Sequence, residues 1–512
     1  MAGRGNATMK KIMEGVLFWV FIGIGVYLIR PHSSIHRTTV SVISKRQILC
    51  LILTVILVIA GVVFCSTLSP MWNGTIINHK DEYEMITESF LKHRLDFDIP
   101  VDPRLREMKN PYDTEARTVN GVSYPFDHAY YQGHFYMYYG VVPVFLAFLP
   151  YRVITGQPLP GIHATQFFAS IFILGLAAYF LWLARSKFPG MTFGVILMLI
   201  ILFSMLSTLF VAKYPMLYQT PVACGMMLEI WSLFFFSKAV WEERTERSAI
   251  RWAFWGSLFG ALTFGCRPPL ALANLTVIPL LCFFLKGKRF SWKLLSRLCF
   301  AASPYVLVAI GLMWYNYARF GNPFEFGQAY QLTVDDMTKV GHIQGLNGLV
   351  STLAGTWNLL FSFPPLQTQF PFLSSGMGAF ACCPLLLYAF SGIRPAYKRF
   401  FREKGMHSFL TVLLISVVVT FFLDLIWSTV SLERYKSDVL YLLSTGAFIG
   451  IGGWMSRKAD YRSASWKVCL AAYICIVLVV LLFLIPDDYS YTAYYNGTNE
   501  WLWSRISFNL SW

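Results

Sequence analysis

Charge is what this sequence has least of. Only 13% of its residues are Asp, Glu, Lys or Arg, against 56% apolar, and the mean hydropathy of +0.52 excludes an ordinary soluble domain of this length. Acids are the scarcer sign, 27 against 42 Lys and Arg. The 10 cysteines lack metal-ligand spacing. Those such as Cys50, Cys65, Cys224, Cys382, Cys383 and Cys469 lie in or beside apolar runs and read as small buried residues, with no disulfide and no zinc site expected. There is no low-complexity tract and no clear internal repeat, which weakens the case for an inverted-repeat transporter. No alternating strand pattern competes with the apolar runs. A hydrophobic segment at 15–29 follows Lys10 and Lys11, but no clear small-residue cleavage site ends it, so it reads as a short span or interfacial segment.

Long apolar runs are what the sequence does have. The stretches 47–78, 163–184, 191–212 and 298–318 carry no charge and can each bridge a hydrocarbon layer as a helix with every backbone group satisfied internally. The basic residues come in short clusters between such runs: Arg30 to Arg46, Arg185 and Lys187, Arg244 to Arg251, Lys286 to Arg297, Arg394 to Lys404, and Arg457 to Lys467. Clusters so placed are topology signals and not a nucleic-acid surface. Putting all of them in the cytoplasm gives alternating spans near 47–70, 163–184, 190–212, 215–237, 252–266, 269–285, 298–318, 376–393, 408–427, 437–455 and 467–485, with the first segment as a twelfth. The stretch 141–154 is short and holds Pro143 and Pro150, so it reads as a juxtamembrane helix on the outer face. The expectation is an all-α polytopic protein of the plasma membrane with about 11–12 spans. It divides into a basic N-terminal part (1–46), a transmembrane module (47–318) with a large outer loop at 71–162, a second outer loop (319–375), and C-terminal helices with an outer tail (376–512).

Long ordered loops are usually functional. The first opens on His79-Lys80-Asp81-Glu82-Tyr83, two adjacent carboxylates at the mouth of the bundle. They can activate an acceptor hydroxyl beside a membrane-held substrate, or simply favour the start of a helix. Asn110-Pro111-Tyr112-Asp113 reads as a turn. The segment from Asp127 through Tyr130, Tyr131 and His134 to Tyr136 is aromatic enough to be a sugar platform or a membrane-interface belt. Arg267, before Pro268 and Pro269, and the group Asp424, Glu433, Arg434, Tyr435, Lys436 and Asp438 place charge where it is costly. An Arg fork there suits a phosphate, or snorkels to headgroups. Glu229 lies inside an apolar run and is expected to pair within the bundle.

In their order along the chain these residues resemble the GT-C glycosyltransferase superfamily, among relatives of the protein mannosyltransferases and of the lipid A aminoarabinose transferase. The resemblance rests on Asp81-Glu82-Tyr83, Asn110 to Asp113, Asp127 to Gly140 with Pro143, Arg267-Pro268, Asn316 to Gly327 including Glu325, and Arg434-Tyr435 with Asp438. It implies a GT-C-like bundle with juxtamembrane helices over a cleft, and transfer of a sugar from a polyprenyl-phosphate donor entering from the membrane lipid to a glycan, glycolipid or protein acceptor in the cell envelope. Asp81 matches the catalytic base, with Glu82 beside it. Arg434 matches the leaving-phosphate contact, and Asp113, Asp127, Tyr130, Tyr131, His134, Arg267, Glu325, Tyr435 and Asp438 are substrate-binding candidates. Where relatives carry Lys before the paired aromatics this chain has His134, only partly protonated near neutral pH. Asp81 and Glu82 are too few ligands to argue a metal site, which leaves a divalent cation open. A transporter or flippase of a lipid-linked glycan, and an assembly subunit without catalysis, are the alternatives.

Overall fold

The computed structural model describes residues 29–41, 43–67, 82–213, 217–242, 245–339, 345–363, 377–427 and 435–484, together with 23, 25–27 and 215. Its long helices are α1 (Lys45–Thr67), α2 (Glu82–Leu91), α3 (Gly161–Lys187), α4 (Phe193–Lys213), α5 (Gln219–Trp241), α6 (Glu246–Phe264), α7 (Val277–Leu285), α8 (Trp292–Phe320), α9 (Gly345–Phe361), α10 (His407–Trp427), α11 (Lys436–Met455) and α12 (Tyr461–Leu484). Among the described residues, 9 helical segments are long and apolar enough to cross a membrane. The chain is an all-α polytopic membrane protein.

These nine follow the expected series in order, and two further members depart from it for local reasons. The first turns of α6 carry Glu246, Arg247 and Arg251, which dilute its hydropathy. The stretch expected at 376–393 is broken at Cys383-Pro384 into a short helix Ala379–Cys382 and a 3-10 segment Pro384–Ile393. Pro268 and Pro269 act similarly: the residues after Arg267 wind as a 3-10 segment, Pro268–Thr276, before continuing as α7. Helix ends follow side-chain chemistry. Ser291 caps α8 by accepting the Leu294 N–H at 3.1 Å, and Gly321, left-handed at φ 67°, ends it.

The bundle is built around α11, buried almost end to end, whereas α1 and α8 turn large apolar side chains outward. Small residues allow that central place. A Cβ at Gly450 would stand 2.0 Å from the Tyr388 carbonyl oxygen, so only glycine lets the 3-10 segment lie against α11. Phe180 of α3 stacks on Phe448 at 4.1 Å between ring centres. The described cysteines are free thiols, and Cys50, Cys282 and Cys299 are exposed on the outside of the bundle instead of buried.

One end of the bundle carries a polar layer. The stretch 141–154 is a short apolar helix, Val144–Thr155, whose five-residue π turn and seven-residue α portion span only about 18 Å. Arg152 on it reaches Glu84 (3.6 Å) and Glu88 (3.5 Å) of α2. Ahead of it Ala129–Tyr131 and His134–Tyr136 form a small antiparallel hairpin, strands the sequence reading did not anticipate. Gln132 and Gly133, both left-handed at φ 49° and 82°, make its two-residue turn. The second loop completes the layer. Buried Arg117 donates to the Thr333 carbonyl (2.7 Å), Asn110 Nδ2 to Asp336 (3.2 Å), and Leu332 N–H to the His128 carbonyl (2.9 Å), so the two loops share one core.

Candidate active site

The polar groups of this layer gather where it meets the bundle end. Asp127 is buried and holds a left-handed backbone, φ 59°, which a short polar side chain tolerates better than most. Its N–H donates to the Leu332 carbonyl at 2.9 Å, and its Oδ1 accepts from Gln331 Nε2 at 2.8 Å. Its Oδ2 accepts from the hydroxyl of Tyr218, the residue that leads into α5. One carboxylate thereby ties the first loop, the second loop and the bundle together.

Glu82, the first residue of α2, sits close enough to Asp127 to feel its charge. Burial pushes the Glu82 carboxyl up, a backbone hydrogen bond opposes that, and the Asp127 carboxylate adds to the rise. Tyr139 packs edge-on against Tyr218 at 5.6 Å, and its hydroxyl pairs with that of Tyr138. Burial, reinforced by the neighbouring tyrosines and Asp127, keeps Tyr139 protonated. The site therefore offers two acids in unlike surroundings, with phenolic donors beside them.

A short backbone bridge joins this group to Arg267. Val142 N–H donates to the Gly265 carbonyl at 2.9 Å, and a Cβ on Gly140 would stand 2.2 Å from the Cys266 carbonyl oxygen. Residues 140–142 thus lie directly across the end of α6. Arg267 follows immediately, its Nε donating to Asp438 Oδ2 at 2.8 Å and its Nη2 to Asp424 Oδ1 at 3.1 Å. The guanidinium stands 5.7 Å from the centre of the Tyr435 ring. Sequence reading offered this fork to a phosphate. The fold gives it two buried carboxylates.

Other candidates have local partners. Asp113 caps the helix Thr114–Val119 by accepting the Ala116 N–H at 3.0 Å. Glu325 accepts the Gly327 N–H at 2.7 Å and so closes a turn. His134 is exposed and bonds Asp96 at 2.9 Å, apart from the Asp127 group. Tyr130 is buried, its carbonyl accepting the Tyr112 hydroxyl at 2.9 Å. Tyr131 joins an aromatic cluster with Tyr330 (4.7 Å) and Phe320 (5.7 Å), and Tyr136 meets the same Phe320 at 5.3 Å. Asp81 and Arg434 lie outside the described residues. Among the described residues no group of three His, Cys, Asp or Glu is placed to hold a metal ion.

Sequence reasoning missed Tyr218 and Gln331, and gave no role to Tyr138, Tyr139 and Arg319 although they lie in the stretches that carried the resemblance. The last is buried and bonds the Met137 carbonyl and Asn316 Oδ1, the latter at 2.8 Å. Its sequence signals were a charge at the end of an apolar run and its place in the Asn316 to Gly327 stretch. Gln331 had none.

Fold and site together define a multi-pass membrane protein whose two long loops make a single polar layer with buried acids at the bundle end. Over 86% of its length the chain is similar to the archaeal oligosaccharyltransferase AglB from Archaeoglobus fulgidus, in a complex with an inhibitory peptide and a dolichol-phosphate, at 14% identity and a TM-score of 0.44, covering 57% of that chain. It is similar over the same 86%, at 13% identity and a TM-score of 0.44, to the Archaeoglobus fulgidus oligosaccharyltransferase tethered by a disulfide to an acceptor peptide containing the NVT sequon, covering 56% of that chain. The apo form of that enzyme gives the same identity and TM-score, with 57% covered. This chain thus spans a little over half the length of those chains. No family model and no curated protein matches it.

Proposed function

We propose that the protein is an integral membrane glycosyltransferase that moves a sugar from a polyprenyl-phosphate-linked donor to an extracytoplasmic acceptor in the cell envelope. The observation that carries this reading is the acid group at the loop-bundle junction: Asp127 bound by Tyr218 and Gln331, with Glu82 beside it and Arg267 across the 140–142 bridge. A membrane-held donor reaches such a junction from the bilayer, and an acceptor reaches it from the aqueous side. In the reaction Asp81 takes the acceptor proton, the acceptor oxygen attacks the anomeric carbon, and the bond to the lipid phosphate oxygen breaks. Attack opposite the leaving group inverts that carbon. Arg434 stabilises the departing phosphate, and Arg267, already compensated by its two carboxylates, holds the wall beside it.

Asp81→Asn keeps size and most hydrogen bonding, so folding survives while transfer from a lipid-linked donor falls by roughly 10² to 10⁴. Glu82→Gln is the neighbour control, measured at equal membrane levels. Near-normal turnover in Asp81→Asn with loss in Glu82→Gln moves the base by one residue, and normal turnover in both removes the enzymatic reading of this loop. A transporter or flippase of a lipid-linked glycan is the second reading, and one observation favours it: buried Glu229 lies against the 3-10 break that carries Asn274.

A further inference from the structure

We propose that the middle of the bundle holds a monovalent-cation site centred on Glu229, taking a proton or Na⁺. Glu229 lies midway along α5 and is fully buried. Its Oε2 accepts from Asn274 Nδ2 at 3.3 Å, the longest of three bonds that this amide makes, the others going to the carbonyls of Ala271 (3.0 Å) and Gly260 (3.1 Å). Among the described residues its Oε1 has no hydrogen-bond partner. Neighbouring Thr263 already donates its hydroxyl to the Phe259 carbonyl at 3.1 Å, and Tyr305 donates to Asn274 Oδ1 at 2.5 Å. Thr263 Oγ1 also comes within hydrogen-bonding reach of the carboxylate, so its single proton is divided between Glu229 and the Phe259 carbonyl.

A carboxylate at bilayer depth whose donors, the Asn274 amide and the Thr263 hydroxyl, are both shared with backbone carbonyls calls for a positive charge or a proton that these neutral groups do not supply. The surroundings suit a small cation. Asn274 belongs to the 3-10 segment Pro268–Thr276, where a spanning helix is interrupted at membrane depth. Buried Tyr441 of α11 is close enough to both Glu229 and Asp438 to feel their charge, and its hydroxyl has no partner among the described residues, nor has Asp438 Oδ1. Glu229, Tyr441 and Asp438 mark a polar line from mid-bundle to the loop end. One carboxylate among neutral oxygens balances a single positive charge, which fits a proton or Na⁺ and not a divalent ion. The charges on the adjoining α3 and α4, Arg185, Lys187 and Lys213, stand at helix ends and do not reach this depth. The site is independent of the transferase reading.

The test uses the full chain in lipid nanodiscs, as wild type and Glu229→Gln. Its unfolding midpoint is followed while Na⁺ replaces choline at constant ionic strength, and separately while pH is stepped. The wild-type midpoint rises with Na⁺, or with falling pH at fixed Na⁺, and the variant loses that increment; the first response assigns Na⁺, the second a proton. Identical responses in both proteins overturn the site. If Glu229→Gln does not fold, dicyclohexylcarbodiimide labelling of the wild type decides. Modification of Glu229 that declines with added Na⁺ or rising pH supports the site, and modification indifferent to both, or absent throughout, overturns it.

Discussion

Among single residues Glu82 has the most direct pH signature. In the unfolded chain it titrates near the ordinary glutamate value of 4.5, and in the fold burial first, then the Asp127 charge, raise it. Between those two values the folded state binds more protons than the unfolded one, so stability falls as pH rises from about 4.5 through the raised value. Glu82→Gln is neutral throughout and escapes that loss. Unfolding midpoints in detergent should therefore differ least on the acid side and increasingly favour the variant as pH rises. A gap between the two proteins that does not change with pH would mean that the Glu82 carboxyl is not desolvated. His134, by contrast, is exposed and paired with Asp96 at the surface of the layer.

At the scale of elements, Arg267 joins the end of α6 to α10 through Asp424 and to α11 through Asp438. Removing it leaves two carboxylates buried without their cation, so Arg267→Ala should destabilise the protein by about 3–5 kcal/mol. Adding Asp438→Asn should recover part of that, read from denaturation in the same detergent. If Arg267→Ala unfolds like wild type, the three side chains are not a buried ion group. Sequence marked all three as costly charges and marked the break at Pro268-Pro269, because hydropathy and proline geometry are local signals. It could not pair Arg267 with carboxylates more than a hundred and fifty residues away. The hairpin at 129–136 escaped for the opposite reason. Two three-residue strands are too short to show a period of two, and only the Gln132-Gly133 turn hinted at them.

For the whole molecule, run length made the spans legible, since about 20 apolar residues have few other uses. The orientation proposed from the basic clusters puts both long loops outside. Thr245→Cys and Glu115→Cys, each in a chain lacking its native cysteines, test it with an impermeant thiol reagent on intact cells. Glu115→Cys should be labelled and Thr245→Cys protected, and the reverse pattern would invert the scheme. The polar layer was legible only as two separate loops, because their union rests on contacts such as Arg117 to Thr333 and Asn110 to Asp336.

Those same contacts set an order of assembly during synthesis. The partners of Arg117 and Asn110 stand 216 and 226 residues further along the chain. A ribosome making about 5–20 residues per second adds the second partner some ten to forty-five seconds after the first. Throughout that interval the first loop has left the ribosome with its central arginine short of a carbonyl, while the helices from α3 to α8 are still being inserted. The layer can close only after α8 has delivered residues 331–336. Nascent chains stalled before that point should expose the first loop to protease, and chains stalled beyond it should protect it.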